Sequence, residues 1–346
     1  MKALQVVTNG EPLTKNQLDT PEPGPDEIIV KVNHCGVCHT DLHLHDGYFG
    51  LGGEKRLNLK QNLPLTMGHE IQGEVISVGD NVDQFSGGEA VAVYPWIGCG
   101  ECGLCATERE HLCSSGRALG INVDGGYAEF VRVPAQRYVL PIGDVDPAQA
   151  GLLMCSGIST YSALDKVRDG FAAGRVAIIG LGGLGMMAME IARARFGQLP
   201  IVIDIDETKL EAARALGTDA FNLGDPDCAK QIKKAVGSVT AVIDFVGAEA
   251  TSALAGRITG QAGHIVIVGL FGGMLQTPLP LMALRGTKIE GSYVGTLKDA
   301  RELLALAGSG KLRPIPTVER PLDDINDVFA EMKAGKIHGR AVIKSL

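Results

Sequence analysis

Aromatic residues are scarce in this sequence, and it has no excess of positive charge. Only 5% of its 346 residues are aromatic, with a single tryptophan among them, and the formal net charge is −8 at pH 7. Nucleic acids and anionic membranes are bound by basic surfaces, so this charge argues against both. We expect neither a nucleic acid nor a membrane as a partner.

The sequence also has no long, uninterrupted apolar run. The longest nearly apolar stretch, residues 176–189, is broken by glycines and is too short to span a bilayer. Residues 1–15 contain no apolar segment followed by a small-residue cleavage site, which a secretory signal requires. We therefore expect a cytoplasmic protein.

Length and composition predict a globular protein of two domains. With 45% hydrophobic and 21% charged residues the chain can bury a sizeable core, and 346 residues exceed the length at which single cores usually stop growing. Up to about residue 150, short strand-like runs alternate with glycine-rich loops, and no helical period is sustained. These runs are residues 27–32, 70–79, 89–94 and 127–133.

Strand-like and helix-like segments alternate after about residue 151. Strands are predicted at 175–180, 200–204, 240–247 and 263–270, with helix-like segments between them. This alternation is typical of a doubly wound α/β domain with a parallel sheet. Two more helices, 298–307 and 322–333, precede a closing strand at 339–345, and this tail could rejoin the first domain.

A glycine pattern typical of dinucleotide-binding sites, GLGGLG, begins where the strand at 175–180 ends. Its first glycine allows a tight turn, the second lets the backbone approach a pyrophosphate, and the last lets helix and strand pack closely. The helix that follows presents its first amides to the phosphates. The predicted contacts are Gly180, Gly182, Gly183, Leu184 and Gly185.

An acidic residue, Asp204, ends the second strand of this region. In dinucleotide-binding folds an acid at this point accepts hydrogen bonds from the adenosine ribose. Its charge repels a 2′-phosphate, so we predict NAD rather than NADP. Lys209 follows shortly after and could bias the choice the other way. The alternative for the whole motif is a structural glycine turn with a surface aspartate.

Half of the eight cysteines lie within fifteen residues: Cys99, Cys102, Cys105 and Cys113. Four thiolates complete the tetrahedral coordination of zinc and leave no position for a substrate, so we predict a structural zinc site. The first two spacings resemble those of an iron–sulfur protein, but seven residues separate the last two cysteines and no proline follows Cys113. An iron–sulfur cluster and unligated thiols remain the alternatives.

Cys38, His69 and Cys155 could form a second, open metal site. Three protein ligands leave the fourth position of a zinc ion for water or substrate, which is the catalytic arrangement. The spacing of these residues does not show that they converge, and a buried cysteine or a core histidine is commoner than a metal ligand.

Five motifs in order resemble the zinc-containing medium-chain alcohol dehydrogenases. They are GVCHTDLH from residue 36, GHE from 68, the four-cysteine segment, CSGISTY from 155 and GLGGLG from 180. The resemblance covers essentially the whole chain. It is strongest to the bacterial, yeast and archaeal tetrameric branch, through LGINVDGGYAEFV and VGLFG.

This resemblance implies a two-domain α/β fold. A GroES-like, β-rich catalytic domain comprises residues 1–153 and 294–346, and a Rossmann domain with a doubly wound parallel sheet comprises residues 154–293. The resemblance also implies a homotetramer, with a homodimer as the alternative. Residues 49–62 look like an extra loop relative to simpler members of the family.

The resemblance assigns roles around the open metal site. Cys38, His69 and Cys155 correspond to ligands of a catalytic zinc, and Glu70 to an acid beside the metal. Asp41 corresponds to an acceptor that orients His69. Together with the four-cysteine site, this implies two zinc ions per chain.

Further roles concern the proton and the cofactor. Thr40 corresponds to the hydroxyl that takes the alcohol proton, and His43 to the base at the far end of the proton relay. Trp96 corresponds, within a residue or so, to an aromatic of the substrate pocket. Cofactor contacts are implied for His39, Val268, Leu270 and Arg340.

We therefore predict a zinc-dependent enzyme that oxidises alcohols to aldehydes or ketones with NAD. A zinc-free quinone or enone reductase of the same fold would lack the set of Cys38, His69 and Cys155. A non-catalytic zinc-binding interaction protein would not need the proton-relay residues Thr40 and His43. Which alcohol is used does not follow from the sequence.

Overall fold

A computed structural model describes residues 1–344, which form two compact units. The first unit contains Met1–Tyr48, Asn58–Ile158 and the described residues from Gly295 onwards. The second contains Ser159–Val294 together with the short segment Phe49–Leu57. Among residues 1–344, no helix combines the length and the apolar character needed to cross a membrane.

Strands dominate the chain up to residue 146. In chain order the helices and strands up to residue 152 are β1 (Lys2–Val6), β2 (Thr14–Gln17), β3 (Ile28–Gly36), α1 (His39–Asp46), β4 (Tyr48–Gly50), β5 (Arg56–Asn58), β6 (Leu65–Thr66), β7 (Glu70–Val78), β8 (Ala90–Val93), β9 (Phe130–Val133), β10 (Val139–Pro141) and α2 (Pro147–Leu152). The four predicted strand-like runs correspond to β3, β7, β8 and β9. Helix α1 escapes a search for apolar periodicity, because two of its buried side chains, Asp41 and His45, are polar.

The rest of the chain alternates between helices and strands. A π-helical turn, Leu153–Gly157, leads into α3 (Ile158–Lys166), α4 (Arg168–Ala173), β11 (Val176–Ile179), α5 (Gly183–Phe196), β12 (Ile201–Asp204), α6 (Glu207–Ala215), β13 (Ala220–Asn222), α7 (Cys228–Val236), β14 (Val239–Asp244), α8 (Glu249–Ile258), β15 (Thr259–Ile267), α9 (Leu279–Arg285), β16 (Lys288–Gly291), α10 (Leu297–Gly308), β17 (Thr317–Pro321), α11 (Ile325–Lys333) and β18 (Arg340–Lys344). Ser345, the last residue of the predicted closing strand, lies outside the described residues.

The second unit is built on a parallel sheet with the strand order β13-β12-β11-β14-β15-β16. Counted from β11, this is the order 3-2-1-4-5-6 of a doubly wound dinucleotide-binding fold, so the predicted fold class is confirmed. The central strands are fully buried and apolar, as parallel strands covered on both faces must be. The edge strands β13 and β16 were not predicted, because they are short and only partly buried.

The first unit contains a three-stranded sheet, β2-β1-β6, and a larger mixed sheet. In the larger sheet the order is β10-β8-β7-β3-β18-β17, and β9 also pairs with β3. The carboxyl-terminal strand β18 thus lies antiparallel to β3, with Ile343 opposite Cys35. Strands β3 and β7 are antiparallel as well, and Gly36 at the end of β3 is opposite Glu70 at the start of β7.

Candidate metal centres and cofactor site

The pairing of β3 with β7 brings two distant segments of the first unit together. Cys38 lies two residues after the end of β3, and His69 immediately precedes the first residue of β7. The approach needs a glycine, because a Cβ added at Gly36 would lie 2.1 Å from Glu70 Oε2. The register of this sheet therefore places the predicted ligands Cys38 and His69 side by side.

The third predicted ligand, Cys155, lies in the π-helical turn Leu153–Gly157. Such turns are rare and are frequent at functional sites. The ligand atoms of Cys38, His69, Glu70 and Cys155 all lie within 4.8 Å of one another, and all four residues are buried. The structure thus brings together the three residues of the predicted open metal site, with Glu70 beside them.

The donor atoms of this cluster suit a zinc ion. Both ring nitrogens of His69 are buried without a hydrogen-bond partner within residues 1–344; Nδ1 lies 3.2 Å from Asp41 Oδ1, which leaves Nε2 for a metal ion. The Cys155 thiol lowers the pKa of Cys38 well below that of an ordinary thiol, against the raising effect of burial. A thiolate and an unoccupied imidazole nitrogen are ligands that zinc takes.

Asp41 lies on the first turn of α1 and connects the two ligand segments. Its Oδ2 accepts hydrogen bonds from the Cys38 backbone N–H at 2.8 Å and from the Tyr127 hydroxyl at 2.8 Å. Its Oδ1 faces His69, as described above. Asp41 therefore has the position expected of a residue that orients a histidine ligand.

Glu70 is anchored beside the cluster by Arg340. The guanidinium donates to Glu70 Oε2 and, at 2.9 Å, to the backbone carbonyl of Val37. The backbone N–H of Ser156 is 3.3 Å from Glu70 Oε1. Burial raises the pKa of Glu70 to about 7, although the charge of Arg340 opposes this shift. Glu70 can therefore exist in either protonation state near neutral pH.

Trp96 borders the same cluster. Its indole Nε1 donates to the Met154 carbonyl at 3.0 Å, and its ring meets the His69 ring edge-on with centroids 5.6 Å apart. The side chain is almost fully buried. The structure therefore places this predicted pocket residue against a candidate metal ligand.

Three predicted site residues share the accessible face of α1. His39 is exposed, and Thr40 and His43 are partly buried, whereas the opposite face is buried. Residues three or four positions apart lie on the same side of a helix, which explains the grouping. Burial, reinforced by the nearby charge of His39, lowers the pKa of His43.

The four predicted structural ligands cluster in an exposed segment of the first unit. Cys102 Sγ lies 3.5 Å from Cys105 Sγ and 3.7 Å from Cys113 Sγ, and Cys99 Sγ lies 3.9 Å from Cys105 Sγ. A tetrahedron with zinc–sulfur bonds of about 2.3 Å has sulfur–sulfur edges of about 3.8 Å. Backbone and thiol hydrogen bonds from Cys105 lower the pKa of Cys102 to about 7. The geometry fits a closed four-thiolate zinc site.

The predicted dinucleotide motif lies in the second unit, between β11 and α5. Gly180 has φ +96°, which favours glycine, and a Cβ at Gly185 would lie 2.0 Å from the Gly180 carbonyl oxygen. A Cβ at Gly182 would meet nothing within 4 Å, so open space lies over this amino-terminal end of α5. Gly183 and Leu184 form the first turn of the helix. The first glycine thus makes the turn, the second leaves space for a pyrophosphate, and the third lets the helix lie close to the turn, as a pyrophosphate site requires.

Asp204 ends β12 and lies beside this motif. Its carboxylate accepts hydrogen bonds from the backbone N–H groups of Leu181, Ile205 and Asp206. Lys209 Nζ lies 3.6 Å from Asp206 Oδ2, so its ion pair is with Asp206 and not with Asp204. The acid predicted to select NAD is therefore anchored next to the glycine turn.

The predicted nicotinamide contacts follow β15. The Val268 N–H donates to the Asp244 carbonyl at 2.9 Å, and the Leu270 side chain is partly exposed. Gly269 between them is tightly packed, because a Cβ there would lie 2.1 Å from the Val246 carbonyl carbon. The backbone at these positions is held close to the end of β14.

The sequence interpretation missed Tyr127. It belongs to the motif LGINVDGGYAEFV, but the acceptor of its hydroxyl, Asp41, is 86 positions away in the chain. Only the tertiary structure reveals this contact.

Comparisons with known proteins identify the family of this chain. The family model "Alcohol dehydrogenase GroES-like domain" matches residues 24–144, and the model "Zinc-binding dehydrogenase" matches residues 183–309. An NAD-dependent alcohol dehydrogenase of Sulfurisphaera tokodaii is 38% identical over 347 residues, covering 99% of this chain and 99% of that protein.

Two other proteins extend the agreement. An alcohol dehydrogenase of Geobacillus stearothermophilus is 38% identical over 348 residues and covers 99% of both chains. The crystal structure of the alcohol dehydrogenase from Aeropyrum pernix matches with a TM-score of 0.89 and 32% identity, over 99% of this chain and 100% of that chain. The chain therefore belongs to the zinc-containing medium-chain alcohol dehydrogenase family.

Proposed function

We propose that this dehydrogenase oxidises alcohols reversibly to aldehydes or ketones, with NAD as hydride acceptor, at a zinc ion held by Cys38, His69 and Cys155. The observation that carries the proposal is the buried cluster in which the ligand atoms of these residues and Glu70 lie within 4.8 Å of one another. The four clustered thiols hold a second, structural zinc: Cys99, Cys102, Cys105 and Cys113.

A bound zinc ion supplies Lewis acidity, which makes loss of the alcohol proton favourable near neutral pH. The residues around the site orient a ligand, lie close to the metal position or border the pocket. Asp41 faces Nδ1 of His69 and so would leave Nε2 to hold the metal. Glu70, paired with Arg340, is close enough to approach the metal when its ligands exchange. Trp96 packs against the ring of His69 and lines the substrate pocket.

The test is an assay of the zinc-loaded protein with a panel of primary, secondary, benzylic and polyol alcohols. We expect NADH absorbance to rise with at least one class, and most with apolar alcohols, because Trp96 borders the metal cluster. Metal analysis should find two zinc ions per chain. No NADH with any alcohol, or iron in place of zinc, would contradict the proposal.

The residues that would hold the cofactor belong to separate segments of the chain. The amides at the start of α5 would bind the pyrophosphate, and His39 and Arg340 would contact phosphate oxygens. Arg340 supports this role, because its Nε is buried without a hydrogen-bond partner in the described part of the chain. The backbone of Val268 and Leu270 would contact the nicotinamide.

Asp204 determines the preference for NAD, with Lys209 turned towards Asp206 and away from this role. Replacing Asp204 by glycine removes the charged acceptor of hydrogen bonds donated by the ribose hydroxyls, each worth about 1.5–3 kcal/mol. The ratio of kcat/KM for NAD over NADP should therefore fall by about 10-fold or more. Steady-state kinetics with both cofactors measure this ratio.

A matched control changes the next carboxylate. Asp206 caps α6 by accepting from the Thr208 N–H at 3.0 Å, and serine in its place keeps a capping hydroxyl while removing the charge. The variant Asp206→Ser should retain the preference for NAD. An equal loss in both variants, or a wild-type enzyme that prefers NADP, would exclude the role of Asp204.

The Thr40 hydroxyl would take the alcohol proton, and His43 would be the base at the far end of the relay; a bound cofactor would supply ribose hydroxyls for it. Because burial lowers the pKa of His43, its ring is neutral and can accept a proton at neutral pH; it becomes protonated only under more acidic conditions. His43→Gln should slow oxidation by about 10-fold or more at and below neutral pH. This factor is near the low end of the rate enhancement that a general base provides. At high pH hydroxide takes the proton directly, so the defect should shrink. The kcat profile from pH 6 to pH 10 at saturating NAD measures this.

Another histidine of the same helix serves as the control. His45 is buried, with Nδ1 2.9 Å from Asp46 Oδ1 and Nε2 2.9 Å from the Glu11 carbonyl. His45→Gln should change stability without reshaping the pH profile. If the profiles of His43→Gln and the wild type coincide, His43 is not part of the relay.

The chain assembles as a homotetramer in the cytoplasm, with residues 1–153 and 294–346 as the catalytic domain and 154–293 as the cofactor domain. Support for self-association comes from exposed apolar side chains of the second unit: Phe271, Met274, Leu275, Leu279, Leu281 and Leu284. The edge strand β16 also has one free side in the described sheet. Light scattering distinguishes the tetramer from a dimer or a monomer.

A further inference from the structure

Tyr127 is fully buried and joins the two segments that carry Cys38 and His69. Its backbone N–H donates to the Met67 carbonyl at 2.9 Å, two residues before His69. Its hydroxyl donates to Asp41 Oδ2 at 2.8 Å, on the helix that begins after Cys38. One residue thus connects the segment before His69, through its backbone N–H, with the helix after Cys38, through its side-chain hydroxyl.

The ring of Tyr127 has little freedom to move. Gly68, the residue before His69, has φ +89°, and a Cβ there would lie 2.5 Å from Tyr127 Cδ1. On another side the ring meets Phe329 with centroids 6.3 Å apart. Because the ring is confined, its hydroxyl is presented to Asp41 at a fixed place.

Asp41 needs this donor. The carboxylate is fully buried, and its Oδ2 receives only the Tyr127 hydroxyl and the Cys38 N–H among the described residues. A buried carboxylate without donors is strongly disfavoured, so loss of one donor leaves it free to rotate. Rotation displaces Oδ1, which faces His69 Nδ1.

We propose that Tyr127 is a positioning residue for the catalytic zinc, acting through Asp41 on His69 and, through the Cys38 N–H, on the second ligand segment. The inference rests on the proposed function, since it takes Cys38 and His69 as zinc ligands. Tyr127 holds the orientation of Asp41 and so slows release of the metal. It makes no contact with the substrate.

The variant Tyr127→Phe tests this, because it keeps the ring and removes only the hydroxyl. Zinc release from the loaded protein to an excess of chelator is followed over time, and the phase that is missing in Cys38→Ser identifies the catalytic site. We expect this phase to be about 10-fold faster in Tyr127→Phe. This is the lower end of the loss of metal affinity seen when residues that orient a metal ligand are replaced. The phase from the four-cysteine site should be unchanged.

Tyr94→Phe is the matched control. Tyr94 is equally buried, but its hydroxyl donates at 2.8 Å to the Gly295 carbonyl and not to Asp41. Its zinc release should match the wild type. Equal acceleration in both variants, or a wild-type rate in Tyr127→Phe, would overturn the inference.

A double-variant cycle with Asp41→Asn tests the route. If Tyr127 acts through Asp41, Tyr127→Phe should add no further acceleration in the Asp41→Asn background, whereas a fully additive effect would overturn the route. Failure of the proposed function gives a different result. In that case Cys38→Ser would release both zinc ions with wild-type kinetics, and the ligand assignment itself would be wrong.

Discussion

Replacing Cys38 by serine is expected to abolish alcohol oxidation while the protein remains folded. Cys38 belongs to a buried cluster whose ligand atoms lie within 4.8 Å of one another, so its loss removes a thiolate from the open zinc site. A zinc ion acting as a Lewis acid stabilises the transition state by several kcal/mol. Since about 1.4 kcal/mol corresponds to a factor of ten, kcat/KM should fall by more than about 1,000-fold. Metal analysis should find one zinc ion per chain instead of two.

Cys35→Ser is the control for this experiment. Cys35 is also a buried thiol, three positions earlier on β3, but it does not belong to either cluster of candidate ligands. The variant should keep both zinc ions and measurable turnover, with at most a moderate loss of stability. If both variants lost the same zinc and the same activity, the catalytic ligand set would have been assigned wrongly.

Cys102→Ser is expected to have the largest effect on stability. Cys102 Sγ contacts both Cys105 and Cys113 in the closed cluster, which lies in an exposed segment with little apolar core of its own. Structural zinc sites contribute about 10 kcal/mol or more to the folding of small zinc-binding peptides. Loss of even part of this should lower Tm by roughly 10 °C. The catalytic zinc should remain bound.

Thermal unfolding with and without chelator measures this effect. Chelator should lower the Tm of the wild type towards that of Cys102→Ser and should have less effect on the variant. Cys228→Ser provides the control, because Cys228 is a buried thiol of the second unit outside both clusters. A wild-type Tm in Cys102→Ser would exclude a structural role for this zinc site.

The doubly wound domain was predictable because its signals are local. Buried parallel strands contain continuous apolar runs, and such runs mark β11 and parts of the other three strands: residues 201–203 of β12, 241–243 of β14 and 265–267 of β15. The partly exposed edge strands β13 and β16 lack this signal. Helix α1 was missed for the opposite reason, since its buried face includes Asp41 and His45, whose polar side chains break the apolar pattern.

The sequence by itself determined the parts whose members are close in the chain. The four-cysteine site spans fifteen residues, so its spacing predicted a zinc site, with an iron–sulfur cluster and unligated thiols as alternatives. The glycine motif spans six residues and, between a strand and a helix with Asp204 after them, predicted a pyrophosphate site. The role of each glycine is likewise a property of one position. It either permits a backbone conformation that other residues avoid or lets another part of the backbone come close. Gly180 at φ +96° and Gly185 against the Gly180 carbonyl illustrate this.

Only the tertiary structure decided the convergence of Cys38, His69 and Cys155. These residues come from the end of one strand, the start of another and a π-helical turn, and their meeting depends on sheet register and helix packing. Before the structure, family resemblance was the only basis for joining them. The contacts of Asp41 with Tyr127 and of Glu70 with Arg340 span 86 and 270 positions in the chain, respectively. Side chains so far apart meet only when the whole sheet has formed, because no local interaction brings them together.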